Sequence, residues 1–235
     1  MIRMMNKSAD IIKKIQVISC EKNSNICFSA DNDNPIRVIE ILEEIGPHIV
    51  ICKIHFDIYK FTSDYDALSF KNDLIRISKQ YDFLLMEDRK FFDISYIVEK
   101  QFSFFDGWID LVTVHGMVND AVVKKINTGV LLVANMSNNT YDITNDCIEL
   151  CKNNSNIVGF ITQKNIVYDK LLNLTPGISF DDVCIDDQSY RNINNINCVN
   201  MPDIIIVGRA IYNSDNPLQT VFNIKSKVAE KKIKQ

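Results

Sequence analysis

Short apolar runs recur along the chain, many followed by a polar or glycine-bearing cluster and then by a longer stretch with helix-like spacing. This rhythm predicts strands alternating with helices. The strand-like runs are 26–31 (ICFSAD), 49–57 (IVICKIHFD), 83–90 (FLLMEDRK), 110–116 (DLVTVHG), 129–137 (GVLLVANMS), 157–163 (IVGFITQ), 171–177 (LLNLTPG) and 203–209 (DIIIVGR). Between them, 35–45 (PIRVIEILEEI) opens on a proline suited to a first helical turn, and 65–80 carries apolar residues at helical intervals. The segment 164–170 is too short for a full helix and 179–200 is polar and asparagine-rich, so both crossings read as irregular.

Strands that are apolar along nearly their whole length are buried on both faces, as in a parallel sheet. About eight βα units in 235 residues point to an α/β fold closed as a single (β/α)8 TIM barrel, with a doubly wound open sheet as the alternative. No Gly/Ser/Pro linker, charge-run boundary or internal repeat divides residues 1–235, so one domain is expected.

Composition narrows the function classes. With 46% hydrophobic and 24% charged residues and seven glycines, the chain suits a globular protein. A net charge of -4 argues against nucleic acid as a partner. Seven scattered cysteines without a CxxC pair disfavour a disulfide framework or a zinc site, and read as inert core residues in a reducing compartment. Arg3, Lys7, Asp10, Lys13 and Lys14 interrupt any apolar signal segment, and no run is long enough to span a bilayer. The expectation is a cytoplasmic protein with no membrane partner.

In a parallel barrel, chemistry gathers at the C-terminal strand ends. Asp31, Lys53, His55, Asp57, Asp88, Lys90, His115, Ser137, Gln163 and Arg209 would converge there. Asp88 and Lys90, two residues apart, would project to one side of an extended strand, with Asp93 in the first turn of the next helix and Lys53 on the neighbouring strand. Alternating charges on buried strands are costly unless they pair or serve a site, and a structural salt-bridge network would give the same pattern. His55 and His115 read as structural residues, Gly177 and Gly208 as points of backbone freedom or close approach, and the basic stretch Lys225–Lys234 as a solvated helix face.

The wording of the motifs is more specific than their charge. EDRKFFDI at 87–94 resembles the catalytic segment of orotidine 5'-monophosphate decarboxylases, in which a Lys-x-His strand (here CKIHFD) precedes Asp-x-Lys-x-x-Asp. The similarity continues in family order through FSAD at 28–31, HG at 115–116, MS at 136–137, GFITQ at 159–163, TPG at 175–177, DDQSYR at 186–191 and IIIVGR at 204–209.

The resemblance implies decarboxylation of orotidine 5'-monophosphate to UMP, with no metal and no organic cofactor. Lys53, Asp88 and Lys90 would form a charged network with Asp93 of a second subunit, so that a homodimer shares its active sites. Lys90 would protonate C6 of the pyrimidine, Asp88 would hold Lys90 in place, and Lys53 with Asp31 would bind the ribose hydroxyls. Ser137 would read the pyrimidine edge, Gln188 and Tyr190 would close over phosphate and base, and Arg209 would bind phosphate, with Ile94, Pro176 and Gly208 also at substrate-binding positions. The lack of a second domain suggests a stand-alone decarboxylase.

The chain departs from the family at Ser95-Tyr96-Ile97, where Gly-Asn-Thr is usual, so Ile97 replaces a ribose-contacting hydroxyl. Ile54 stands where threonine is common, and Asn138-Asn139 near a loop that usually holds glycine. Two other functions remain open: a metal-assisted sugar-phosphate decarboxylase or synthase of the same suprafamily, and a non-catalytic nucleotide-binding barrel dimer.

Overall fold

A computed structural model describes residues 7–136, 141–179, 184–185, 188–193 and 201–233. Its strands are β1 (Ile26–Ser29), β2 (Ile51–Ile54), β3 (Leu84–Phe91), β4 (Leu111–His115), β5 (Gly129–Val133), β6 (Ile157–Ile161), β7 (Leu172–Thr175), the two-residue β8 (Ile178–Ser179), β9 (Cys184–Ile185), β10 (Gln188–Ser189) and β11 (Arg191–Asn192), and β12 (Ile204–Val207). Its helices are α1 (Lys7–Glu21), α2 (Pro35–Ile45), α3 (Ala67–Tyr81), α4 (Ser95–Phe102), α5 (Asp120–Val123), α6 (Thr144–Asn153), α7 (Arg209–Tyr212) and α8 (Pro217–Ile233).

The eight longer strands coincide with the eight apolar runs and close into one barrel, in the order β1-β12-β7-β6-β5-β4-β3-β2. Every adjacent pair is parallel, and because β1 pairs with both β2 and β12 the sheet has no edge, so the open-sheet alternative falls. No helix among the described residues is long and apolar enough to cross a membrane.

Alternation along the strands divides the core in two. Cys27, Ile51, Leu84, Met86, Leu111, Leu131, Val133, Ile204 and Ile206 pack together inside the barrel, while Ile26, Phe28, Cys52, Ile54, Leu85, Val112, Val114, Val130, Leu132 and Ile205 pack outward with the helices. The interior cluster also takes Ile12, Ile15 and Ile18 from α1, spaced to share one helix face. Each such isoleucine contributes roughly 1.5–3 kcal/mol by leaving water.

The helices start where side chains satisfy their first N–H groups. Asn34 Oδ1 accepts from Ile36 and Arg37 at 3.1 and 3.4 Å, ahead of Pro35, and Asp66 Oδ1 accepts from Ser69 at 2.8 Å. α2 buries Val38, Ile41, Leu42 and Ile45, and α3 buries Phe70, Leu74 and Ile77. Between β6 and β7 the chain crosses without a helix, as its length requires.

Cys27, Cys52 and Cys147 are buried free thiols, but Cys20 is exposed on α1, contrary to the expectation that the cysteines are core residues. On a helix, Cys20 falls outside the face that Ile12, Ile15 and Ile18 present to the barrel.

Candidate active site

The alternation that fills the barrel with apolar side chains turns polar at the C-terminal end of three strands. On β1, Ser29 follows the inward Cys27; on β2, Lys53 follows Ile51; on β3, Asp88 follows Leu84 and Met86. Strand register sets Ser29 beside Lys53 and Lys53 beside Met86. These groups line a cavity of about 530 Å³, together with Asp31, His55, Lys90, Asn135, Met136, Pro176, Gly177, Tyr190, Gly208, Arg209 and Tyr212.

The charges form a chain. Lys53 Nζ lies 3.1 Å from Asp31 Oδ1 and 3.0 Å from Asp88 Oδ2, and Lys90 Nζ lies 2.9 Å from that same Asp88 oxygen. His55 Nε2 stands 3.3 Å from Asp88 Oδ2, and Ser29 Oγ donates to Asp31 Oδ2 at 2.7 Å. Lys53 and Asp88 are only 5% and 9% exposed, so neither charge is compensated by water.

Burial alone would raise the Asp88 carboxyl, but Lys53, the His55 hydrogen bond and Lys90 outweigh it and hold Asp88 well below the usual carboxylate range. Burial would likewise lower Lys53, yet Asp88 and Asp31 raise it above an ordinary lysine. At Asp31, burial opposes and Lys53 and His55 overcome, so its carboxyl is lowered. The result is a preorganised row of fixed charge of alternating sign, suited to stabilising charge that develops on a ligand in the cavity.

Asp88 and Lys90 do meet on one side of β3, but not through regular extended geometry. The β3–β4 register shifts between Glu87 and Phe91, and Lys90 has φ 51°, in the left-handed region. A bulge thus re-aims the Lys90 side chain, as bulges beside sites commonly do. Asp93 precedes α4 rather than lying in its first turn; its Oδ1 accepts the Ile94 N–H at 2.7 Å.

Of the residues expected from sequence, Asp31, Lys53, Asp88, Lys90, Pro176, Tyr190, Gly208 and Arg209 line one cavity. Asp93 and Ile94 do not line it and are exposed beside it in sequence. Ser137 lies outside the described residues, and of Gln188 only the backbone, in β10, is described. Asp57, His115 and Gln163, expected to converge on the barrel mouth, are not among the lining residues. Asp57 pairs with Arg89 on the outer side, His115 packs against the Phe92 ring at 4.6 Å, and Gln163 Nε2 donates to the Pro176 carbonyl at 3.1 Å.

His55 lies at the mouth as its strand-end position predicts, but faces the cavity against Asp88 and is not only structural; its place two residues after Lys53, just past the end of β2, carries that signal. Tyr212 and Asn135 also line the cavity, and nothing in their sequence setting marks them. Gly208 is favoured by close approach: a Cβ there would meet the Ser29 Cβ and carbonyl oxygen at a tight 3.1 Å. Gly177 has φ 72°, a turn conformation natural to glycine. Across the cavity wall the Arg209 guanidinium lies 5.6 Å from the Tyr190 ring centre, a cation–π pair. Among the described residues, no group of three or more His, Cys, Asp or Glu is arranged to hold a metal ion.

Comparison with known proteins agrees with this geometry. The orotidine 5'-phosphate decarboxylase of Saccharomyces cerevisiae is 30% identical over 89% of this chain and 86% of its own length, and that of Saccharomycopsis fibuligera is 28% identical over 89% and 87%. The crystal structure of orotidine 5'-monophosphate decarboxylase from Methanocaldococcus jannaschii, complexed with the inhibitor BMP, superposes with a TM-score of 0.64 at 19% identity, covering 87% of this chain and 98% of that one. Residues 24–224 match the model of the orotidine 5'-phosphate decarboxylase / HUMPS family, a span that holds every charged residue of the cavity, and the chain belongs to that family.

Proposed function

We propose that this chain decarboxylates orotidine 5'-monophosphate to UMP, the last step of de novo pyrimidine nucleotide biosynthesis, without metal or organic cofactor. The observation that carries the reading is the buried Asp88 carboxyl with Lys53 Nζ and Lys90 Nζ at 3.0 and 2.9 Å from one of its oxygens, inside the cavity of a chain of this family.

Breaking the bond from C6 to its carboxylate releases CO2 and leaves the electron pair in an sp2 orbital that the ring cannot delocalise. Catalysis must therefore be electrostatic. A lysine ammonium already fixed beside that atom stabilises the growing negative charge without reorganisation. Lys90 then transfers its proton to C6, completing UMP, and regains a proton from water. Lys53 keeps Asp88 anionic and adds positive charge, and Asp31 with Lys53 takes the ribose hydroxyls. Arg209 and Tyr190 hold the phosphate end, so binding energy remote from C6 organises the reacting end. Pro176, Gly208, Ser137 and Gln188 complete the substrate contacts, and Ile94, outside its own cavity, would reach the substrate in the site of a second subunit.

The test is UMP formation, followed by absorbance, in protein stripped with chelator. Undiminished turnover is expected. Activity lost on chelation and restored by magnesium would replace this reading with a metal-assisted sugar-phosphate reaction. A UMP analogue that binds without turnover of substrate would replace it with a binding barrel.

The working unit is one barrel domain paired as a homodimer with shared sites. Supporting this, Asp93 lies outside its own cavity, and its neighbours Phe92, Ile94 and Tyr96 are 60%, 67% and 61% exposed, an apolar group of the kind that marks interaction surfaces. Mixing Lys90→Ala with Asp93→Ala subunits should partly restore turnover, because one site per heterodimer regains both residues. Absence of rescue would argue for self-contained sites. The buried free thiols Cys27, Cys52 and Cys147 fit a reducing, cytoplasmic setting.

A further inference from the structure

Thr113, in the middle of β4, is fully buried, with Val112 and Val114 on either side in the same strand. Its hydroxyl does two things at once. It accepts the Lys90 backbone N–H at 2.8 Å and donates to Asp88 Oδ1 at 2.8 Å. A regular β3–β4 ladder would offer Lys90 N–H a backbone carbonyl, but the register shift between Glu87 and Phe91 removes that partner. The side chain of Thr113 supplies the missing acceptor in a place water does not reach.

The second bond decides which way Asp88 faces. The terminal torsion of an aspartate is broad and two-fold, so its two oxygens exchange easily unless each is claimed by a different neighbour. Here Oδ2 faces Lys53, Lys90 and His55, whereas Oδ1 takes the Thr113 proton. The strained Lys90 backbone and the Asp88 carboxylate, both on β3, are thereby joined through a single oxygen atom of the neighbouring strand β4.

We propose that Thr113 is a positioning residue for decarboxylation, its hydroxyl locking the left-handed kink at Lys90 to the rotamer of Asp88 so that both charges enter the cavity as one rigid unit. The proposal rests on reading Lys90 as the proton donor. It assigns Thr113 no contact with substrate. Valine would fill the same volume and suit the strand as well, so packing alone does not call for a hydroxyl there.

The experiment compares Thr113→Val and Thr113→Ser in the full-length protein, measuring kcat and KM for orotidine 5'-monophosphate alongside thermal melting. Misplacing a reacting group by a fraction of an ångström to 1 Å costs up to roughly 100-fold in rate. Thr113→Val is therefore expected to lose about 10- to 100-fold in kcat with KM changed less than about threefold, and Thr113→Ser to stay within about threefold of the parent in both. If the valine variant does not fold, Thr113→Cys against Thr113→Ser gives the same contrast, because a thiol is a weak hydrogen-bonding group of similar size. Full kcat in the valine or cysteine variant, serine as poor as either, or a loss confined to KM overturns the proposal. Lys90→Ala in the same assay separates the two readings. Near-normal turnover there removes the proton donor and this proposal with it, whereas an inert Lys90→Ala beside a fully active Thr113→Val removes only the coupling.

Discussion

Glu87 and Asp88 are consecutive carboxylates on one strand, both buried, and the two faces of β3 give them opposite characters. Asp88 points into the barrel, where Lys53, Lys90 and His55 surround one oxygen and Thr113 takes the other. Glu87 points out toward the helices, where Oε2 accepts the Phe56 N–H at 3.1 Å and Oε1 has no hydrogen-bond partner among the described residues. Burial pushes the Glu87 carboxyl up to about 8, with Asp57 and Asp88 adding to the rise, whereas Asp88 is held far below its ordinary 3.8. Cations within reach, and not burial itself, make the difference between a neutral spacer and a fixed charge.

The sharpest way to break this comparison is to neutralise each carboxylate in turn. Asp88→Asn should lower kcat at least 100- to 1,000-fold, the order seen when a preorganised electrostatic group is removed, while Glu87→Gln should leave kcat within about threefold. Equal losses would mean that the face of β3 carries no functional distinction. Lys53→Met comes next, through stability. It leaves Asp88 and Asp31 without their shared cation and should cost about 3–5 kcal/mol in urea unfolding, as breaking a buried pair does. A cost below about 1 kcal/mol would place the network among ordinary surface pairs.

The pH dependence of stability should separate the two carboxylates by sign. Asp88 is depressed when folded, so its contribution is present above the unfolded value near 3.8 and is lost as pH falls through the lower folded value. Glu87 is raised from 4.5 to about 8, so the folded state holds a proton that the unfolded state has released. Its contribution is full below 4.5 and is lost as pH climbs to about 8. Urea unfolding across this range should show a decline of at most about 1.4 kcal/mol per pH unit that Glu87→Gln flattens and Asp88→Asn leaves in place. An unchanged slope in Glu87→Gln would show that Glu87 is already ionised at neutral pH.

The barrel is legible in the sequence because eight buried parallel strands are eight apolar runs, and α2 and α3 announce themselves with Asn34-Pro35 and Asp66 at their starts. Helix α1 is harder to see, because its apolar period rests on Ile12, Ile15 and Ile18 among many charged and polar residues. Strands β8 to β11 have two residues each, too few to express any periodicity.

At the site, the charged residues are visible because charge inside an apolar strand is conspicuous. Thr113 is not, because threonine is a common strand residue whether or not its hydroxyl is used. The left-handed backbone at Lys90 has no sequence signature either, since glycine or asparagine usually marks that conformation. Asp93 was legible as a charge but not as a residue turned away from its own cavity, which depends on where α4 begins.

The central claim is that Lys90, aimed by Asp88, gives its proton to C6. It is tested most directly by the turnover of Lys90→Ala at saturating orotidine 5'-monophosphate, with UMP binding measured on the same preparation. The expected result is a kcat at least 1,000-fold below the parent with the barrel folded and UMP still bound, the range in which proton transfer and charge stabilisation are lost together. A variant that binds UMP and still turns over within about tenfold of the parent would contradict it.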